Sequence, residues 1–199
     1  MTDYNNYLKN DNPVDEFASW FKEALEVEDN GSYFTLSTLA ADGGVNARTL
    51  LLKSVVDKKL LFFTNYDSVK GSEIEANDKV SMTFFWNKLG KQVRIRGAAT
   101  KASKQTSMDY FKSRGFESQV ASYISDQSSP VDSREILENE FAIARDKFKE
   151  EGVPYPEKWG GYLVDPYEIT FFLYGDHRLN DRFQFIKDNG KWHSKRLYP

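Results

Sequence analysis

Tight-turn signals cut much of this chain into strand-length pieces, and this restricts the fold more than any other feature. Asp188-Asn189-Gly190 separates two short segments, 181–187 and 191–197. Asn and Gly both tolerate the positive φ that the central positions of a type I′ turn require, so the signal reads as a two-residue β-hairpin. Asp42-Gly43-Gly44 gives a similar signal between 32–40 and 45–55, and Asn87-Lys88-Leu89-Gly90 joins 79–86 to 91–101. Strands joined so closely run antiparallel, because a parallel partner needs a crossover of about a dozen residues. Three further strands are expected, at 59–64 and, near the C-terminus, at 161–165 and 168–174 as separate pieces.

Helical spacing appears between these strands. Asn12-Pro13 reads as a cap followed by proline at the first helical position. Val14, Phe17, Ala18, Phe21 and Leu25 then recur at the period of an amphipathic helix over 13–27. Asp67 or Ser68 can cap a short helix to Ala76, Ser103 one to Ser113, and 118–124 suits another. Asp132 with Glu135 has the form of a capping box, opening a helix that ends near Gly152. About six to eight strands with interspersed helices predict a mainly β fold with α additions, an antiparallel barrel rather than a doubly wound sheet. No linker composition divides residues 1–199, so a single domain is expected, with 1–11 a flexible arm and 153–199 supplying the closing strands.

Several chemistries are excluded. With no cysteine there is no thiolate nucleophile, disulfide or Cys-ligated metal. His177 and His193 are the only histidines and make no metal cluster. A net charge of −3 argues against a general nucleic-acid binder. The polar N-terminus and the lack of a long apolar run predict no membrane segment and a cytoplasmic location. Neither a phosphate-binding Gly-rich loop nor a nucleophile elbow occurs, so any hard chemistry belongs to a bound organic cofactor.

Cations and hydroxyls recur beside the expected strands. Arg48 and Lys53 lie five residues apart, an odd spacing that points them to opposite faces of an ideal strand. A bulge must intervene if both touch one ligand; otherwise they are surface cations flanking a core strand. Phe63-Thr64-Asn65 leads into Ser68-Val69-Lys70-Gly71, where a helix start and Lys70 can hold a phosphate or simply cap a helix. Gln92, Arg94 and Arg96 share one face of an alternating strand; the arginines read as solvated, while Gln92 can pair with an amide-rich ring. Tyr110, Arg114 and Ser118 would share a face of a continuous helix and suit a phosphate monoester, although Gly115 interrupts it. Gln127-Ser128 alone is a polar turn. Arg178 and Arg182 place two cations beside the aromatic run Ile169–Tyr174, which suits a planar anionic ligand.

Taken in order, these segments resemble the pyridoxine (pyridoxamine) 5′-phosphate oxidase family. The resemblance runs from about Ser32 to Pro199 and rests on Arg48-Thr49-Leu50-Leu51-Leu52-Lys53, Phe63-Thr64-Asn65 with Lys70-Gly71, and Phe84-Phe85-Trp86 with Gln92. Further on it rests on Tyr110-Phe111, Ser113-Arg114, Ser118-Gln119, Gln127-Ser128, Trp159-Gly160-Gly161, His177-Arg178-Leu179 with Asp181-Arg182, and the Arg196-Leu197-Tyr198-Pro199 terminus.

The resemblance implies a Greek-key-like split β-barrel, and a homodimer with FMN in a cleft between subunits. Arg48, Thr64, Lys70 and Ser128 would hold the flavin phosphate or ribityl chain; Lys53, Phe63, Gln92, Gln127, Phe172 and Arg182 complete the implied cofactor set. Lys53, Tyr110, Arg114, Ser118, Arg178 and Asn180 would bind a phosphorylated B6 vitamer, Arg178 over its ring as the catalytic residue. The implied reaction oxidises the substrate at C4′ to pyridoxal 5′-phosphate, with hydride passed to flavin N5 and O2 reduced to H2O2. Val69, Phe172, Asn180 and the lack of a basic N-terminal segment depart from the family pattern. They motivate two alternatives: an FMN oxidase of the phenazine-biosynthesis type acting on another planar substrate, or a non-catalytic flavin or vitamer binder.

Overall fold

The computed structural model describes residues 8–199. Helix α1 (Pro13–Val27) precedes strands β1 (Tyr33–Leu39), β2 (Val45–Val56) and β3 (Lys59–Asn65), helix α2 (Val69–Ala76), and strands β4 (Lys79–Trp86) and β5 (Lys91–Lys101). Helices α3 (Lys104–Ser113), α4 (Phe116–Ile124) and α5 (Arg134–Phe148) follow. Strands β6 (Trp159–Leu173), β7 (Asp181–Asp188) and β8 (Lys191–Leu197) end the chain.

All neighbouring strands pair antiparallel in the order β3-β2-β1-β4-β5-β6-β7-β8, and a further β3–β6 pairing closes the first six into a barrel. Closure depends on β6. One edge of β6 pairs with β5 along nearly its whole length. Its other edge is divided: Trp159–Val164 pair with β3, and Glu168–Leu173 pair with β7. The expected two strands at 161–165 and 168–174 are therefore one. A proline inside a strand pattern normally signals a break. Here the β5–β6 register shifts between Arg96 and Gly97, so Tyr167 is an extra residue beside Pro166 and the missing N–H is absorbed at a bulge.

Inward-facing residues of the barrel strands make one aromatic-rich core, including Phe34, Phe62, Phe84, Trp86, Tyr162 and Phe171, all fully or almost fully buried. Helix α1 plugs it, with Phe17 against Phe84 at 4.9 Å and Trp20 edge-on to Phe171 at 4.9 Å. Asn12 accepts the Val14 N–H, the cap expected from the sequence. The first part of the expected flexible arm, 1–7, lies outside the described residues. Beyond it Leu8 is buried, and Glu16 accepts the backbone N–H groups of Lys9 and Asn10, each at 2.9 Å.

The β7–β8 turn has φ 47° at Asn189 and 78° at Gly190, as a type I′ turn needs. Asp57 and Lys58, between β2 and β3, also have positive φ but offer no glycine to announce it. Helix limits differ locally. Helix α4 begins at Phe116, and α5 ends at Phe148. Its cap is Ser133, not Asp132, since the Ser133 hydroxyl accepts the Ile136 N–H. Helices α4 and α5 pack on each other through Val120, Ala144 and Phe148, a small core separate from the barrel. No helix among the described residues is long and apolar enough to cross a membrane.

Gly97 sits at the bulge because nothing larger fits. A Cβ there would lie 2.6 Å from Val164 Cγ1 and 2.7 Å from the Asp165 carbonyl oxygen. Gly97→Ala is expected to cost about 2 kcal/mol by overpacking, read as a fall in Tm of about 4–8 °C in a thermal melt of a domain this size.

Candidate functional site

Two cavities adjoin on the barrel wall where β2, β3 and the start of α2 meet the loop after α4. The smaller, of about 320 Å³, is lined by Arg48, Val69, Lys70, Gln127 and Ser128, with Thr49 and Leu50 as floor. The end of β3 turns through Asn65 into α2, whose N-cap is Ser68. That turn swings Lys70 inward, where its ammonium donates to Ser68 Oγ at 2.9 Å and to Gln127 Oε1 at 2.7 Å. Thr64 Oγ1 also donates to Gln127 Oε1, at 3.1 Å. Ser128 has φ 77°, and its Oγ accepts the Val69 N–H at 3.4 Å. Arg48 reaches in from β2. Behind it, its guanidinium donates to the Thr38 hydroxyl and, at 3.2 Å, to Glu73 Oε2. Burial first, and then the Arg48 charge, push Lys70 down to about 8, with Glu73 opposing them. Burial would raise Glu73, but hydrogen bonds from Thr38 and Asn46 and the Arg48 charge hold it below its usual range.

The larger cavity, of about 400 Å³, shares Thr49, Leu50 and Gln127 with the first. Lys53, Phe63, Thr64, Arg114, Ser122 and Trp159 also line it. The odd spacing of Arg48 and Lys53 is resolved as the sequence requires: the β2–β3 register shifts between Leu52 and Ser54, making Lys53 the bulged residue. One strand thus sends a cation into each cavity. Phe63 stacks on Tyr110 at 4.0 Å and on Trp159 at 5.3 Å, the planes within 18°. Gly161 pairs with Phe63, and a Cβ there would come within 3.0 Å of that ring, so Gly161 makes room for the stack. Cations sit at both ends of it, Lys53 at 5.8 Å from the Tyr110 ring and Arg114 at 5.0 Å from the Trp159 ring. Arg114 also donates to Ser122 Oγ at 2.6 Å, and burial lowers its pKa from the ordinary value.

Of the residues expected from the sequence, Arg48, Lys53, Phe63, Thr64, Lys70, Arg114, Gln127 and Ser128 line these cavities, and Tyr110 joins their aromatic wall. Ser118 does not. Helix α3 ends at Ser113 and α4 starts at Phe116, so no continuous helix aligns Ser118 with Tyr110 and Arg114; it lies exposed while Ser122 faces the cavity. Gln92, Phe172 and Arg182 form one cross-strand row over β5, β6 and β7. From Gly161, opposite Phe63, to Phe172 is about 36 Å of strand at ~3.3 Å per residue. Arg178 and Asn180 occupy the β6–β7 connection beyond that row. His177 and Arg178 both have positive φ, and Asn180 Oδ1 accepts the Gly175 N–H at 3.0 Å. A third cavity of about 340 Å³ lies there, lined by Asn180, Arg196 and the C-terminal Tyr198 and Pro199. Arg94 and Arg96 are exposed, and Arg96 pairs with Glu168 at 3.0 Å.

Sequence reasoning missed Glu73, Thr38, Asn46 and Ser122. Glu73 had a usable signal, since it follows Lys70 by three residues and shares its helix face.

Comparison with known proteins places the chain. Residues 21–147 match the family described as pyridoxamine 5′-phosphate oxidase, and 159–199 match the pyridoxine 5′-phosphate oxidase C-terminal dimerisation region. A pyridoxine/pyridoxamine 5′-phosphate oxidase from Rhodopirellula baltica is 42% identical over 98% of this chain and 91% of its own. One from Leptospira biflexa is 43% identical over 94% of this chain and 89% of its own. Among solved structures, PhzG from Burkholderia lata, in complex with tetrahydrophenazine-1-carboxylic acid, superposes with a TM-score of 0.91 at 23% identity, covering 100% of this chain and 98% of that one. A pyridoxamine 5′-phosphate oxidase-related, FMN-binding protein from Nostoc punctiforme gives 0.78 at 14% identity, covering 96% and 100%. At these identities the two structures confirm the split-barrel fold alone.

Arg114→Lys keeps the charge but loses the guanidinium over the Trp159 ring and its hydrogen bond to Ser122. Affinity for a phosphate monoester, titrated by quenching of Trp159 fluorescence, is expected to fall about tenfold, ~1.4 kcal/mol.

Proposed function

Because the chain belongs to the pyridoxamine 5′-phosphate oxidase family, we propose that it oxidises pyridoxamine 5′-phosphate and pyridoxine 5′-phosphate to pyridoxal 5′-phosphate with FMN. The observation that carries this reading is a pair of adjoining cavities, each with its own arginine and lysine: Arg48 with Lys70, and Lys53 with Arg114. A reaction between two phosphorylated partners, cofactor and substrate, needs two such anchors. Guanidinium and ammonium groups beside Ser128 Oγ suit the FMN phosphate, so the donor set fits the cofactor. The second pair, beside the Phe63–Tyr110–Trp159 wall, suits a phosphorylated pyridine.

Among the described residues, no carboxylate or histidine lines either cavity. The chain therefore contributes charge, stacking and orientation rather than acid–base chemistry from these walls. FMN, when bound, supplies the two-electron acceptor and its return to the oxidised form with O2. Overall, pyridoxamine 5′-phosphate, O2 and water give pyridoxal 5′-phosphate, ammonia and H2O2, while pyridoxine 5′-phosphate needs no water and releases no ammonia. Phosphate anchors remote from C4′ provide binding energy that holds the reacting carbon in place. Arg178, Arg182, Gln92, Phe172 and Asn180 lie far along β6 from these anchors. We place them in the same cleft through a homodimer, in which the matched dimerisation region brings Arg178 over the substrate ring and Arg182 beside the flavin. Likeness to the phenazine enzyme rests on fold alone, whereas the relatives at 40–43% identity are named for the B6 vitamers.

Protein loaded with FMN and given pyridoxamine 5′-phosphate in an oxygen electrode is expected to consume O2 and form pyridoxal 5′-phosphate in equal amounts. Full flavin loading without turnover would defeat the assignment. The shared cleft has its own readout. Arg114→Ala and Arg178→Ala should each be nearly inactive, yet dimers reassembled from an equal mixture should recover about a quarter of wild-type activity, because half the dimers are mixed and each has one intact site. No recovery would mean that each chain builds its site alone.

A further inference from the structure

We propose that Glu73 is a positioning residue for the phosphate cradle: its carboxylate clamps Arg48 from behind and balances the two cations that Arg48 and Lys70 present to one ligand. The inference rests on the reading that this cavity takes the FMN phosphate.

Glu73 is 8% exposed, and it spends its acceptors on the cradle's own parts. Its Oε2 accepts from Arg48 Nη2 at 3.2 Å and from the Thr38 hydroxyl; its Oε1 accepts from the Asn46 amide. Thr38 completes a closed triangle, because its oxygen also accepts from Arg48 Nη1. The rear of the guanidinium is thus tied to β1, β2 and α2 together, while Arg48 still lines the cavity. A long side chain held this way loses its rotamer freedom during folding rather than on ligand binding.

The charge balance follows from the same contacts. Lys70 lies one helical turn before Glu73 and is buried. The charged groups acting on it are Arg48 from β2 and Glu73 on its own helix. Thr64 from β3 and Gln127 and Ser128 from the α4–α5 loop are neutral, and Asp126 in that loop is bound to Lys158. Arg48 disfavours the Lys70 ammonium and Glu73 favours it. Removing the Glu73 charge must therefore lower the pH at which Lys70 loses its proton, and with it the upper limit of phosphate binding.

The test uses flavin-free protein titrated with FMN and with riboflavin, which lacks the phosphate, following flavin fluorescence from about pH 6 to about 9.5. Wild type should lose FMN affinity above about pH 8 and show no such limb for riboflavin. Glu73→Gln should move that limb to lower pH by about one unit and reduce the FMN-over-riboflavin preference at pH 8 about fivefold. Glu73→Asp, which keeps the charge, should return the limb most of the way, which a merely structural role would not require. If Glu73→Gln fails to fold, Thr38→Val, which removes one side of the triangle, should shift the limb in the same direction by a smaller amount. A limb and preference unchanged in a variant that melts like wild type would overturn the inference alone. A wild type that binds neither flavin would overturn the FMN reading and this inference with it.

Discussion

The divided edge of β6 is the constraint on which the rest of the structure depends. A strand has two edges, and β6 gives one wholly to β5 while splitting the other between β3 and β7. The first half closes the barrel and so places Trp159 beside Phe63. The second pairs with β7 and so carries the β7–β8 hairpin, with Arg182 on β7 and Arg178 in the connection before it. The bulge at Pro166–Tyr167 is what allows one strand to serve both partners, since the local kink and added twist redirect its second half. Gly97 is its counterpart on β5, where any side chain would strike Val164 or the backbone at Asp165.

The candidate site uses irregularities of this kind to aim charge. On an unbroken β2, Arg48 and Lys53 would project from opposite faces; the bulge at Lys53 lets one strand supply both cavities. Helix α2 adds Lys70 from its first turn, and Gln127 joins the cavities by accepting from both Lys70 and Thr64. Four cations in so small a space repel one another, and the two cavities handle this differently. Arg48 and Lys70 are balanced by a buried carboxylate, Glu73, whereas Lys53 and Arg114 lie against aromatic faces whose negative quadrupoles attract cations.

Much of the local structure was legible in the residues. Asn12-Pro13 marked the start of α1, Ser68 and Ser103 capped their helices, and Asn189-Gly190 adopted the turn their φ preferences favour. These signals work because cap and turn energies act over a few residues. Legibility failed where a local rule met a tertiary demand. Pro166 read as a strand break, but pairing on both sides carried the strand past it. Asp132 read as the α5 cap, but Ser133 takes the role. The break at Gly115 between Arg114 and Ser118, by contrast, was announced by the glycine itself.

By itself the sequence determined the antiparallel class, the positions of most elements, the family, and the residue types able to hold two phosphates and a planar ring. Only the tertiary structure decided which of those residues meet. Phe63 faces Gly161 and Thr38 faces Glu73 across gaps that no periodicity spans, and the partners are chosen by barrel closure and core packing. Local turn and cap energies cannot specify such contacts, because their range is a few residues. The burial of a shared apolar face can, because it rewards one registration of distant strands over every other.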